Sequence, residues 1–168
     1  TMKFLKIVPY MLFACVTVAF FSCSKEKPEI ENTSTYKMAG EWFTRTYNGG
    51  SAVIDYKRIS TYNTSDPNAS QIWVDDLGHI WPFKAKMDVD YAGTAFKSMA
   101  STPNIATGQT GTTIKVIEGK VLPEMGVSKS GNKVDSIYLK LEFSDDPGEV
   151  YEIRGHQRTG FFEDELAP

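Results

Sequence analysis

The sequence predicts an all-β fold in which antiparallel strands follow one another along the chain. From Met38 onward, short runs rich in aromatic and β-branched residues alternate between hydrophobic and polar positions. Turn residues separate these runs, and no long helical period interrupts them. About seven or eight strands result, and one-sided strands joined by short turns either close into a barrel or pack as a sandwich.

The first half of the series contains four predicted strands. Residues 40–47 lead into Asn48-Gly49-Gly50, a composition typical of a hairpin turn, and residues 52–62 form the returning strand. A short strand at 71–75 then turns into a longer strand at 80–90. This longer strand has an apolar side chain at every second position, namely Trp81, Phe83, Ala85, Met87 and Val89.

A long loop at residues 91–111 separates the two halves. Residues 94–100 have the pattern of two helical turns, with Phe96 and Met99 on one side, so we expect a short helix in this loop.

Three further strands are predicted after the loop, at residues 112–121, 134–143 and 149–158. The turns between them contain Ser130-Gly131-Asn132 and residues 145–148. The middle strand has a continuous apolar row of Ile137, Leu139, Leu141 and Phe143.

Residues 1–22 are predicted to be a secretory signal peptide. Lys3 and Lys6 form a basic start, and residues 7–21 carry no charge. That uncharged stretch is shorter than the roughly 20 apolar residues that cross a bilayer. Residues 20–23 resemble a bacterial lipobox, with Phe20 in place of the usual leucine, so Cys23 is predicted to carry the lipid. An uncleaved anchor and an ordinary cleaved signal are the alternatives.

The mature chain is predicted to consist of a flexible tether at 23–37 and a barrel domain at 38–168. The other cysteine of the full chain, Cys15, is predicted to leave with the signal, so no free thiol remains for a disulfide, a metal site or catalysis. The chain carries 18 basic against 21 acidic residues, and both basic residues of the signal are lost on cleavage. This acidic balance without a basic run argues against a nucleic-acid partner.

Few residues are suited to catalysis. The two histidines, His79 and His156, are the only candidates for a general base, and the spacing of neither matches a nucleophile or metal motif. The acidic pairs lack the spacing of a calcium loop. We therefore predict no catalytic site, no metal site and no cofactor.

Two residue patterns carry a resemblance to known proteins. Gly40 and Trp42 on the first strand, with Arg154 and Arg158 on the last, resemble the calycin signature, in which an arginine packs on the tryptophan and closes one barrel end. The wider series resembles a Bacteroidetes family of small lipoproteins called lipid-binding putative hydrolases. It comprises residues 39–42, 61–64, 73–76, 81–84, 119–121, 135–137, 145–148 and 158–161.

The resemblance implies an up-and-down, calycin-like (lipocalin-like) barrel of about eight strands and a lipid ligand. We expect an outer-membrane lipoprotein of the bacterial envelope whose barrel binds a small hydrophobic molecule. A hydrolase with a histidine base and a non-catalytic envelope assembly protein are the alternatives, and no protein partner can be named. The predicted ligand-binding residues are Trp81, Phe83, Ala85, Met87, Phe96, Met99, Ile137, Leu139, Leu141 and Phe143.

Overall fold

A computed structural model describes residues 32–66, 70–97 and 101–166. Within these residues nine strands form a single antiparallel sheet. The strands are β1 (Gly40–Asn48), β2 (Ser51–Asn63), β3 (Gln71–Asp75), β4 (Lys84–Asp90), β5 (Ala95–Lys97), β6 (Thr102–Pro103), β7 (Thr113–Val127), β8 (Lys133–Phe143) and β9 (Tyr151–Gln157).

The sheet closes on itself as an up-and-down barrel. Consecutive strands are neighbours from β1 to β5 and from β7 to β9, β5 pairs with β7, and β9 pairs with β1. Eight strands therefore make the barrel, while β6 adds a short ribbon to the start of β7. The predicted all-β barrel is confirmed, and closure decides between the barrel and the sandwich.

Glycine allows close approach at both seams that close the barrel. On β9, a Cβ added to Gly155 would lie 2.0 Å from the Phe43 carbonyl oxygen of β1. On β7, a Cβ added to Gly119 would lie 2.8 Å from a methyl of Leu139 and 3.0 Å from Cβ of Phe96 on β5. A larger residue at either position would push the strands apart.

Alternate side chains of the strands point into one continuous core. In β4, for example, Ala85, Met87 and Val89 are buried while Lys86 and Asp88 are exposed, as the alternation predicts. The largest fully buried side chains are Trp42, Phe83, Met38, Ile59, Ile72, Met87, Ile114, Ile137, Leu139, Leu141, Ile153 and Val74.

Residues 80–83 form a loop instead of the start of a strand, so this local prediction is wrong. The buried carboxylate of Asp76 accepts hydrogen bonds from the backbone N–H groups of Gly78, Ile80 and Phe83, at 2.8, 2.9 and 3.0 Å. These bonds hold the chain in a compact turn, and strand β4 begins only at Lys84.

The prediction of a short helix at residues 94–100 is also wrong, at least for residues 94–97, which the structure describes. Ala95–Lys97 is strand β5, which pairs with β4 and, at Ala95, with Lys120 of β7. Barrel closure needs a strand between β4 and β7, and this tertiary pairing overrides the weak helical pattern.

The two ends of the barrel are closed by different segments. At the Met38 end, where β1 begins and β9 finishes, a 3-10 helix (Tyr36–Met38) buries Met38 completely. Thr33 Oγ1 donates to Asn63 Oδ1 over 2.9 Å, so contacts with the barrel begin inside the segment predicted as a tether. At the Trp81 end, the turns after β1 and β8 and the loop between β3 and β4 come together.

A candidate ligand site at the Trp81 end

The residues predicted to bind ligand share one core, with Trp81 as the exception. Their side chains pack against one another inside the barrel, and Met99 lies outside the described residues. Trp81 keeps 37% of its surface exposed. The buried members are Phe83, Ala85, Met87, Phe96, Ile137, Leu139, Leu141 and Phe143.

Trp81 covers this end of the barrel from the loop between β3 and β4. Its ring stacks on Phe143, with centroids 6.3 Å apart and planes inclined by 29°, and lies 6.4 Å from the ring of Tyr151. Its indole Nε1 donates to the Asp145 carboxylate over 3.1 Å. Trp81 therefore joins its own loop to the turn between β8 and β9.

The loop is fixed on both sides of Trp81. Asp76 binds the backbone of Ile80 and Phe83, and the Asn104 amide donates to the Pro82 carbonyl over 3.0 Å. The indole itself is held by stacking and by one exposed hydrogen bond. The backbone of the loop is therefore held independently of the indole.

A small, partly enclosed cavity of about 20 Å³ lies against the indole. Thr46 belongs to its lining, and Thr46 Oγ1 is the only buried side-chain oxygen or nitrogen of the described residues without a hydrogen-bond partner. Buried polar groups are nearly always paired, so an unpaired one calls for an explanation. The walls are Thr46, Ile54, Ile80, Trp81, Phe143, Tyr151 and Ile153.

The size of the cavity sets a condition on binding. A space of roughly 10–15 Å³ admits about one water molecule, so 20 Å³ is far below the volume of a lipid chain. A hydrophobic ligand can enter only if Trp81 moves. The space that the indole now fills would then be added to the cavity beside the apolar walls.

A wider groove of about 590 Å³ lies on the outer side of the same loop, towards Ile105. Its wall includes an ion pair in which Lys84 Nζ lies 3.1 Å from Asp75 Oδ2, and Tyr62 donates to the same oxygen. Partial burial opposes ionisation of Asp75, but the Leu77 N–H and the Lys84 ammonium outweigh it and lower the pKa of that carboxyl. Asp75 and Lys84 of this wall are thus paired with each other.

Trp42 closes the opposite end, but without an arginine. It is completely buried, and its Nε1 donates to Thr61 Oγ1 over 2.9 Å. The predicted arginine contact is wrong: Arg154 lies 4.7 Å from the Tyr47 ring centre, and Arg158 pairs with Glu41.

Strand alternation explains this correction. The residue of β9 opposite Trp42 is Gln157, whereas the residues at even positions of β9 point outward. A Cβ added to Gly40 would lie 3.5 Å from the Trp42 ring, which is an ordinary van der Waals distance, so the structural role of Gly40 stays a prediction.

The two histidines lie on the outer face of the sheet, both near Phe43 and Tyr56. His79 Nδ1 is 2.8 Å from the Arg58 carbonyl oxygen and donates to it. His156 packs between the rings of Phe43 and Tyr56, with centroids 6.1 and 5.7 Å away. Burial lowers the pKa of His156, because the charged imidazolium would lose solvation there.

A search among curated proteins finds no match to the chain. A family described as lipid-binding putative hydrolase matches residues 27–162. The chain belongs to this family. Membership together with the closed barrel fits a ligand-binding protein, and it supports a lipid as the ligand. In the part of the chain that the structure describes, no helix is long and apolar enough to cross a bilayer. Cys23 lies outside the described residues.

Sequence reasoning missed Thr46, although a signal for it exists. Thr46 continues the inward row of β1 after Trp42 and Thr44, so strand alternation alone places a hydroxyl in the core. The unpaired state of that hydroxyl depends on distant strands and could not be read from the sequence.

Proposed function

We propose that this member of the lipid-binding putative hydrolase family is a lipid-anchored binding protein that takes a hydrophobic ligand at the Trp81 end. The observation that carries the proposal is the partly enclosed apolar cavity under a partly exposed tryptophan, with Thr46, whose hydroxyl is unpaired, among its lining residues. The remainder of the interior is a packed core, which holds this site in place.

Rotation of Trp81 opens the site. The ligand then covers Ile54, Ile153 and Phe143, and each Å² of apolar surface removed from water contributes about 25 cal/mol. A hydroxyl or carbonyl group of the ligand pairs with Thr46 Oγ1, which relieves a desolvation cost of about 1–3 kcal/mol. A mostly apolar molecule with one hydrogen-bonding group fits both features.

The anchor in this proposal is a lipid on Cys23 in the outer membrane of a bacterial envelope. The sequence around Cys23 supports it, since a basic start, an uncharged stretch and a small residue precede the cysteine. The Cys23→Ser chain is expected in the soluble fraction, because acyl chains supply about 0.8 kcal/mol per buried CH₂. Sedimentation of this variant with membranes would contradict the anchor.

The ligand site is tested by titrating a fluorescent fatty acid into the domain of residues 24–168. We expect saturable binding, and Thr46→Val should weaken it about tenfold, the equivalent of about 1.4 kcal/mol. Trp73→Ala is a matched control, because Trp73 lies on the outer face of β3 and packs near Lys84 and Lys86.

Failure to bind any member of a broad lipid panel would contradict the ligand proposal. In that case the packed interior would favour an envelope assembly protein that binds its partner through surface loops.

A further inference from the structure

The four most exposed large hydrophobic side chains of the described residues belong to two segments at one end of the barrel. Phe162 is 94% exposed, Met125 72%, Val127 61% and Phe161 59%. Met125 and Val127 lie in the β7–β8 hairpin, and the two phenylalanines follow β9. We call these four residues the apolar rim.

Hydrogen bonds tie the two segments into one surface. The Asp164 carboxylate accepts from the Ser130 backbone N–H over 2.6 Å and from the Thr159 hydroxyl over 2.8 Å. Burial opposes ionisation of Asp164, but these donors prevail and hold its pKa at about 2. The carboxylate therefore stays charged at neutral pH, and the phenylalanines keep their place beside the hairpin.

The rim lies at the Met38 end. The β7–β8 pairing continues to Val127 and Lys133, beyond Ser136, which is the first residue of β8 to pair with β9. The segment after Gln157 leaves β9 at the same end, where β1 begins. The most exposed apolar groups thus share an end with the point at which the N-terminal segment reaches the barrel.

We infer that the apolar rim inserts into the lipid bilayer that holds Cys23. This inference rests on the proposed anchor. Asn32 is nine positions after Cys23, and at 3.3–3.6 Å per residue this stretch spans at most about 32 Å. The anchor therefore keeps the Met38 end within reach of the membrane surface.

Hydrophobic insertion is the form of attachment that suits this surface. The chain has a net charge of −3 and loses two lysines with the signal, so attraction to anionic lipid is weak. Phenylalanine and other large apolar side chains insert at the headgroup boundary, and a second point of attachment strengthens a lipid anchor. Insertion would also turn the Trp81 end away from the bilayer.

The test uses the mature lipidated protein in phosphatidylcholine vesicles. Phe162→Cys is labelled with a fluorophore that responds to polarity, and Ser51→Cys, exposed in the hairpin of the Trp81 end, is the matched control. Acylation of Cys23 and loss of Cys15 leave the introduced cysteine as the one free thiol. Nitroxide-labelled lipids then report contact with the bilayer.

We expect a blue-shifted emission and several-fold stronger quenching for the label at position 162 than for the label at position 51. Equal, weak quenching at both positions in protein that floats with the vesicles would overturn the inference and leave the anchor intact. Protein that does not float would overturn the anchor and the inference together. A blue shift of the label's emission that grows with protein concentration, without quenching by the nitroxide lipids, would show that a second copy of the protein covers the rim. This result too would overturn the inference.

Discussion

Both ends of the barrel use a tryptophan, but they use it differently. At the Met38 end, Trp42 donates to Thr61, and Thr61 in turn donates to the Met38 carbonyl over 2.6 Å, all within the core. At the Trp81 end, the indole is partly exposed and covers the unpaired hydroxyl of Thr46. The buried, fully hydrogen-bonded Trp42 favours a barrel end that stays closed. The partly exposed Trp81, which lies over an unpaired hydroxyl, favours a barrel end that can open.

The largest difference is expected from truncating the two tryptophans. Trp42→Ala should lower the free energy of unfolding by about 3–5 kcal/mol, because it leaves a cavity in the core. Trp81→Ala should cost only about 1–2 kcal/mol, since mainly ring stacking is lost. Urea denaturation measures both, and equal losses would mean that the two ends are closed alike.

The two buried threonines should respond with opposite signs. Thr61→Val should cost about 1–3 kcal/mol, because it leaves the Trp42 N–H and the Met38 carbonyl unpaired. Thr46→Val keeps the shape and removes an unpaired hydroxyl, so stability should stay the same or rise by up to about 1 kcal/mol. Loss of stability in Thr46→Val would show that this hydroxyl has a partner in solution.

The smallest effect is expected in the pH dependence of stability. It comes from His156, which lies on the outer surface near the Met38 end. The folded pKa of His156 is below its unfolded value of 6.5, so the unfolded chain takes up the proton first. Stability should therefore fall as pH drops through 6.5 towards the folded pKa. His156→Phe should flatten this part of the stability profile, and an unchanged slope would exclude His156 as its source.

Strand alternation accounts for most of what the sequence could predict. The inward rows of β4 and β8 are correct because side-chain direction follows from position within a strand. The expectation of an arginine contact with Trp42 rests on the calycin resemblance and not on this rule, and the strand pairing places Gln157 opposite Trp42.

Long-range contacts account for what the sequence could not predict. Trp81 fits the inward row of β4, yet the Asp76 carboxylate diverts the chain before that strand begins and leaves the indole at the surface. Likewise, β5 forms because β4 and β7 need a strand between them, and its own residues give a helical pattern.

The seam between β1 and β9 also has a consequence for biosynthesis. Asn48 and Glu149, which share a hydrogen bond of 2.7 Å near this seam, are 101 residues apart. The first strand thus keeps one edge unpaired until β9 has emerged, and unpaired strand edges invite aggregation. A chaperone that shields β1 during this interval would raise the yield of folded barrel, and a chain that stops before Tyr151 would never close.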